Sequence, residues 1–423
     1  MTNTGNVGFI STRLAGTDGV SLESAKWEDV FERLGFNCFY LAGELDRPED
    51  RSRCVPEAHF KHPEVKEIHD IGFGRSTRTR ELTRKTDDLK QHLKDQLHRF
   101  IEDFDLHVLV VENALAIPMN VPLGLALAEV IAETGIRTIA HHHDFVWERT
   151  RFQRSPFGDY IRAAFPPMMP SIRHVVINSI SDEQVSLRTG VSATLIPNVM
   201  DFATPPPETG AFASDLRRDF GVGEDDLFVL QPTRIIQRKG IEHAIELVSR
   251  LDRPAKLVIT HAPADEGPDY EKRVRDISKL MGVDTRFVAD LVERERGKVG
   301  DGTKFYSLED VYPHADLVTY PSVFEGFGNA FLEAIYFRKP LVVNRYSIYE
   351  MDIKPRGFRC VEMSGFCTDR VIAETHRLLN DPELVADIVE HNFELGKRYF
   401  SYEVLDRKLG SLITDVMAHD NGR

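Results

Sequence analysis

Residues 318–340 read VTYPSVFEGFGNAFLEAIYFRKP, and the fold follows from how that stretch is parsed. An apolar strand over 316–320 runs into a Pro-Ser turn. A glycine-spaced loop with Glu325, Gly326 and Gly328 comes next, then a helix that carries Glu333. A strand, a glycine loop and a helix N-terminus together form an anion site, because free backbone N–H groups and the helix dipole point at one spot. Two carboxylates would repel a bare phosphate. They suit a ligand that carries hydroxyls as well as phosphates, and a nucleotide sugar is such a ligand. Glu333 lies roughly 12 Å beyond Glu325 at about 1.5 Å per helical residue, so one carboxylate could hold sugar hydroxyls and the other a ribose. A plainer reading stands beside this one. An acidic residue at a helix start is favoured by the dipole alone, by about 0.3–1 kcal/mol, and Glu333 could be a solvated helix residue. The rest of the chain decides between them.

At 423 residues the chain exceeds one ordinary domain, and two or three are expected. It is 42% hydrophobic and 28% charged, the composition of a soluble globular protein with a proper core. A net charge of −14 argues against nucleic acid or an anionic membrane as a general partner. Cys38, Cys54, Cys360 and Cys367 show neither metal-ligand spacing nor a disulfide framework, so they read as reduced thiols of a cytoplasmic enzyme. The opening MTNTGNVGFISTRLAG has no basic region followed by an apolar core, so no signal peptide is expected. No apolar run is long enough to span a membrane, and no internal repeat is visible.

A strand over 7–11, a loop over 12–20 with Gly16 and Gly19, a helix over 21–34 and a strand over 37–41 make a βαβ unit. Gly16 would let backbone approach a ligand, although a tight turn explains it equally well. Residues 77–104 read as one long helix with a core-facing stripe of Leu82, Leu89, Leu93, Leu97, Phe100, Ile101 and Phe104. Its start is basic, with Arg75, Arg78, Arg80, Arg84 and Lys85, which form either a solvated face or a contact for an anionic acceptor. A buried strand over 108–111 ends at Glu112 and Asn113. A helix over 122–134 leads to a strand over 137–140, which delivers the run HHHDFVWER at 141–149. Neighbours in an extended segment point opposite ways, so His141, His142 and His143 cannot all converge on one ion. A polar catalytic loop at the C-terminal end of a strand is the economical reading.

The stretch 205–210, PPPETG, is the clearest linker. After it the alternation restarts with strands over 228–231, 256–260, 285–288 and 341–344. A basic loop over 232–240 holds Arg234, Arg238 and Lys239, and helices over 368–379, 382–399 and 403–417 finish the chain. Two Rossmann-like βα domains, 1–204 and 205–395, imply a ligand in a cleft between them.

Four ordered motifs carry a family resemblance. IPNVMDF (196–202) resembles a Pro-Asn-Gly-Val-Asp segment, with Val199 where glycine is usual. PTRIIQRKG (232–240) matches an Arg-x4-Lys pair as Arg234 and Lys239. EDVYPHADLVTYPSVFEGFGNAFLEA (309–334) matches a Glu-x7-Glu segment as Glu325 and Glu333, and RKPLVV (338–343) resembles Gly-x-Pro-Val-Val. On these residues the chain resembles the retaining family-4 glycosyltransferases of GT-B fold. Thr260-His261 stands where that family often has Gly-x-Gly. HHHDFVWER is similar to the loop whose histidine approaches the transferred sugar, with His143 the best match and His141 next. The run also resembles that of small-solute synthases such as those making mannosylglucosylglycerate.

The resemblance implies an α/β fold of two facing domains, with residues 396–423 forming a helix that returns to the N-terminal domain. It implies transfer of a hexose from GDP-mannose or UDP-glucose, with Arg234 and Lys239 neutralising the leaving phosphate in place of a metal ion, so that a divalent cation is dispensable or merely stimulatory. Gly16, Gly326, Phe327, Gly328 and Asn329 would line the donor site, Glu325 would hold sugar hydroxyls and Glu333 the ribose. No nucleophile–acid carboxylate pair is visible, so front-face substitution is expected, with His143 holding the donor sugar. Asn113, Asn120 and Trp147-Glu148-Arg149 would serve a small, hydrophilic, anionic acceptor such as a glycerate derivative. Homo-oligomerisation stays open. A GT-B phosphorylase, a nucleotide-sugar epimerase and a non-catalytic sugar-binding protein are the competing classes.

Overall fold

The computed structural model describes residues 5–16, 18–207, 210–263, 269–300 and 302–418; Thr17 of the first glycine loop and Glu208 and Thr209 of the linker lie outside them. The chain divides into two units, Met1–Pro197 with Leu405–Arg423, and Asn198–Val404.

The first unit is built on β1 (Gly5–Ile10), β2 (Phe36–Ala42), β3 (Ser52–Cys54), β4 (Val108–Glu112), β5 (Arg137–His142), β6 (Ile172–Val176) and β7 (Ala193–Leu195). They form one parallel sheet in the order β3-β2-β1-β4-β5-β6-β7. Helices cover both faces of such a sheet, which is why its central strands read as continuous apolar runs instead of alternating ones; VLVVE of β4 is buried throughout. The helix Arg80–Asp103 starts where the Thr79 side chain accepts from the Leu82 N–H, and it buries Leu82, Leu89, Leu93, Leu97 and Phe100. The helix Val121–Thr134 is apolar on nearly every face and correspondingly deep in the core; Asn120 caps its start and Gly135, in the left-handed region, ends it.

The second unit repeats the plan. β8 (Leu227–Gln231), β9 (Ala255–Ile259), β10 (Asp284–Phe287), β13 (Leu317–Tyr320), β14 (Leu341–Asn344) and β15 (Val361–Met363) form a parallel sheet in the order β10-β9-β8-β13-β14-β15. A short antiparallel pair, β11 (Gly297–Lys298) and β12 (Lys304–Phe305), stands apart. Strand order reverses between β1 and β4 in one sheet and between β8 and β13 in the other. At such a switch point the loops leaving the two strands diverge and open a crevice at their C-terminal ends. Among the described residues no helix is long and apolar enough to cross a membrane. The last helix, Tyr402–Ala418, groups with the first unit from Leu405 onward. Leu405, Leu409, Leu412 and Val416 are buried, Asp415 accepts from Arg173 Nε at 2.7 Å, and Lys408 Nζ donates to the Leu195 carbonyl at 2.8 Å.

Candidate active site

In the second unit the two switch-point strands are pinned together by a buried polar chain. Thr319 Oγ1 donates to Gln231 Oε1 at 2.7 Å and Gln231 Nε2 to Thr233 Oγ1 at 2.7 Å. The loops beyond approach closely because Gly240 adopts φ 58°; a Cβ there would lie 2.6 Å from the Pro321 carbonyl oxygen. That approach brings Lys239 Nζ to 2.5 Å from Glu325 Oε1 and Arg238 Nη1 to 2.8 Å from Oε2. Glu325 is buried. Burial opposes its ionisation, but Lys239 and Arg238 outweigh burial and hold the carboxyl at about 2. Burial pushes the Lys239 ammonium below its ordinary range, with Glu325 acting against it. Arg234, exposed in the same loop, and Lys239 both act on His261, whose imidazole burial brings down to about 4 and thus keeps neutral.

The helix Asn329–Tyr336 follows directly. Its N-cap, Gly328, sits at φ 134° and no side chain caps the first turn, so the helix presents backbone donors and the positive end of its dipole. Only glycine fits there, since a Cβ would lie 2.6 Å from Tyr346 Oη. Tyr346 Oη donates to the Phe327 carbonyl at 2.8 Å, while the Phe327 ring is buried against Phe400. Phe327 thus supports the loop from within. Asn329 Oδ1 accepts from Asn198 Nδ2 at 2.7 Å, and Glu333 accepts from Tyr312 Oη at 2.8 Å. Lys239 and Glu325 therefore meet directly, and Gly326, Gly328 and Asn329 follow Glu325 in the chain. Arg238, missed as a site residue although visible in the basic loop, completes the cluster.

In the first unit, a cavity of about 140 Å³ lies at the switch point, lined by Arg13, Asp18, Phe60, Glu112, Asn113 and Asn120 among others. Glu112, at the end of β4, is buried. Its carboxylate lies 2.9 Å from His141 Nδ1 and 3.0 Å from His143 Nε2. The alternation of an extended strand explains this pairing: His141 and His143 share one side, and His142 points to the other, 2.9 Å from His174 Nδ1. Burial raises the Glu112 carboxyl, but the two imidazoles prevail and hold it at about 2. Burial drives His141 and His142 downward; His143 is raised, because its hydrogen bond and charge contact with Glu112 overcome burial.

Glu112, His141 and His143 also have ligand atoms within 4.8 Å of one another, close enough for a metal ion. A ligating histidine ordinarily gives its other ring nitrogen to a carboxylate or carbonyl. His141 Nε2 is instead buried without a hydrogen-bond partner among the described residues, and the ring stacks on Trp27 at 4.1 Å. The trio is arranged as a carboxylate held by two imidazoles.

The neighbouring residues are engaged as follows. Asn113 accepts from the His143 N–H at 3.0 Å and donates to Asp144 at 2.9 Å, and Arg149 pairs with Asp144. Glu148 accepts from the Phe145 N–H at 2.9 Å, and burial lifts its carboxyl to about 7. Trp147 stacks on Phe145, and Asn120, besides capping its helix, donates to the Glu57 carbonyl at 2.9 Å. Gly16 gives its N–H to Asp46 at 2.9 Å. The basic start of the long helix does not line the cavity. Arg78 makes two 2.8 Å bonds to Asp159 and lies over the Tyr160 ring, and Lys85 pairs with Glu67. Arg75, Arg80 and Arg84 are exposed. The cation on the cavity wall is Arg13, paired with Asp18 at 3.0 Å. No periodicity singles it out, because its place depends on a loop.

No family model matches the chain. It is 30% identical over 423 residues to the mannosylglucosylglycerate synthase of Thermotoga maritima, covering 92% of this chain and 95% of that one. It is 29% identical over 432 residues to the mannosylglucosylglycerate synthase of Petrotoga mobilis, covering 93% and 98%. Among solved structures it is similar to sucrose-phosphate synthase from Thermosynechococcus elongatus, with a TM-score of 0.67 at 15% identity over 98% and 100% of the two chains. Near-complete coverage at that identity, on two parallel sheets with loop clusters at their switch points, places the chain in the mannosylglucosylglycerate synthase family of GT-B glycosyltransferases.

Proposed function

We propose that this glycosyltransferase moves a hexose, with retention of configuration, from a nucleoside-diphosphate sugar to a small anionic acceptor of the glycerate type in the cytoplasm. The observation that carries the reading is the Lys239–Arg238–Glu325 cluster beside the uncapped start of the Asn329–Tyr336 helix. Negative charge grows on the leaving phosphate as the glycosidic bond breaks. Fixed cations and N–H dipoles aimed there are usually the largest catalytic term. Lys239, Arg234 and the N–H groups around Gly326, Gly328 and Asn329 supply it without a metal ion. Glu325, held anionic, accepts from sugar hydroxyls, and Glu333 serves the ribose. In a front-face reaction the acceptor oxygen bonds to the anomeric carbon as the phosphate oxygen leaves. The acceptor's proton passes to that phosphate. His143 holds the donor sugar. The name of the relatives describes a glycerate that carries a glucosyl and a mannosyl group, which suits GDP-mannose or UDP-glucose as the donor, and Arg13 is suited to an acceptor carboxylate.

Release of nucleoside diphosphate, measured for each donor against a panel of acceptors, tests this. Turnover should require both a donor and a glycerate-type acceptor and should survive exhaustive chelation. Donor turnover with no acceptor would indicate an epimerase, and dependence on inorganic phosphate a phosphorylase. Activity abolished by chelation and restored by one divalent ion would refute metal-free chemistry.

A further inference from the structure

The histidine run leaves one group without a role: the carboxylate beneath it. Glu112 sits at the end of β4 with a fully buried side chain, and among the described residues the side chains that hydrogen-bond its carboxylate are the two imidazoles of His141 and His143. We propose that Glu112 is the positioning residue for His143, accepting from Nε2–H so that Nδ1 is turned outward as the working edge of the ring. The proposal rests on the reading that His143 contacts the donor sugar.

The geometry supports it in three ways. An ionised carboxylate can only accept, so the ring nitrogen 3.0 Å from it must carry hydrogen, which fixes the tautomer. The backbone is held too, since Asn113 accepts from the His143 N–H, leaving the ring little freedom. The side chain is 10% exposed against 1% for His141, so it is the ring of the pair that reaches the surface of the site. His141 then acts as a second brace, donating to the same carboxylate from beneath Trp27.

Charge follows from position. The groups acting on His143 are Glu112, Glu23 of the first helix and Asp144, all anionic, with Lys26 paired to Glu23 and Arg149 to Asp144. His141 and His142, both kept neutral by burial, flank it. As an imidazolium the ring offers Nδ1–H as a charged donor; as a neutral ring with Nε2–H it offers only a lone pair. His143 is raised above its ordinary value, so the donor form holds below the raised value and is lost as pH climbs through it. Removing the Glu112 charge lowers that value, and the alkaline limb of activity moves to lower pH.

Steady-state kinetics across pH on wild type, His143→Ala, Glu112→Gln and the double variant test this. His143→Ala should lower kcat by about 100-fold or more, the usual cost of losing one fixed hydrogen-bond donor to the transition state. Glu112→Gln should lower kcat, shift the alkaline limb to lower pH and add little to the loss in His143→Ala, because the two act as one unit. Wild-type activity in His143→Ala would overturn the role of His143 and with it that of Glu112. An impaired His143→Ala beside a normal pH profile in Glu112→Gln, or fully additive losses, would overturn the Glu112 proposal alone. If Glu112→Gln does not fold, nitrogen NMR of labelled histidine in the wild-type protein decides. Hydrogen retained on Nε2 of the neutral His143 ring supports the proposal, and hydrogen on Nδ1 refutes it.

Discussion

Each unit contains a strand that runs through a glycine-bearing turn into a helix at a switch point, and the two turns differ in what they leave open. In the first unit the turn is self-satisfied. Asp18 accepts from the N–H groups of Val20 and Ser21 and pairs with Arg13, and Asp46 takes the Gly16 N–H. In the second unit the N-cap, Gly328, has no side chain to take the first N–H groups of the helix, and the carboxylate that precedes it, Glu325, is turned to Lys239 and Arg238. A helix start whose donors are already taken by a carboxylate has none left for phosphate. One whose carboxylate is held by cations keeps its donors and gains local positive charge. Sequence patterns for the two turns look alike; the difference lies in where one acidic side chain points.

The sharpest way to break this contrast is to remove the cation. Lys239→Ala should lower kcat by about 100-fold or more with the fold retained, as read by turnover and thermal melting; near-normal turnover would remove the cluster from catalysis. Gly328→Ala comes next. It forces a side chain into a φ of 134° and against Tyr346, and strain of this kind is of order 1–3 kcal/mol. Urea unfolding should show the loss, and calorimetry should show weaker diphosphate binding. An unchanged midpoint and affinity would mean that the turn tolerates a side chain. The smallest effect belongs to the closed turn. Asp18→Ala should cost about 1 kcal/mol of stability as a lost helix cap, without creating a second diphosphate site by calorimetry. A new binding event there would show that Asp18 alone made the two turns different.

Much of this was legible in the sequence. The strands of 341–344 and the helix of 382–399 fall where their apolar spacing places them, and the long helix starts within a few residues of expectation because Thr79 is a strong cap. β3 and β15 gave no signal: three residues each, SRC and VEM, are too short for a period, and only pairing with β2 and β14 makes them strands. The same limit applies to the sites. Lys239 and Glu325 are readable because each lies in a motif. Glu112 and Arg13 are not, because what marks them is the convergence of β4 with β5, and of the loop after β1 with the loop after β4. The basic run 75–85 shows the complementary limit: its charge density is visible in sequence, whereas the partners Asp159 and Glu67 that occupy Arg78 and Lys85 are not.

The last helix, whose residues from Leu405 group with the first unit, also has a bearing on the order in which the protein is made. During synthesis the second unit has its whole chain once Val404 has emerged. The first unit must wait through all of that synthesis for Leu405, Leu409, Leu412 and Val416, which are buried in the finished protein. Domains generally fold as units, in the order in which they leave the ribosome. Here that order is split: the residues translated first belong to the unit that is completed last.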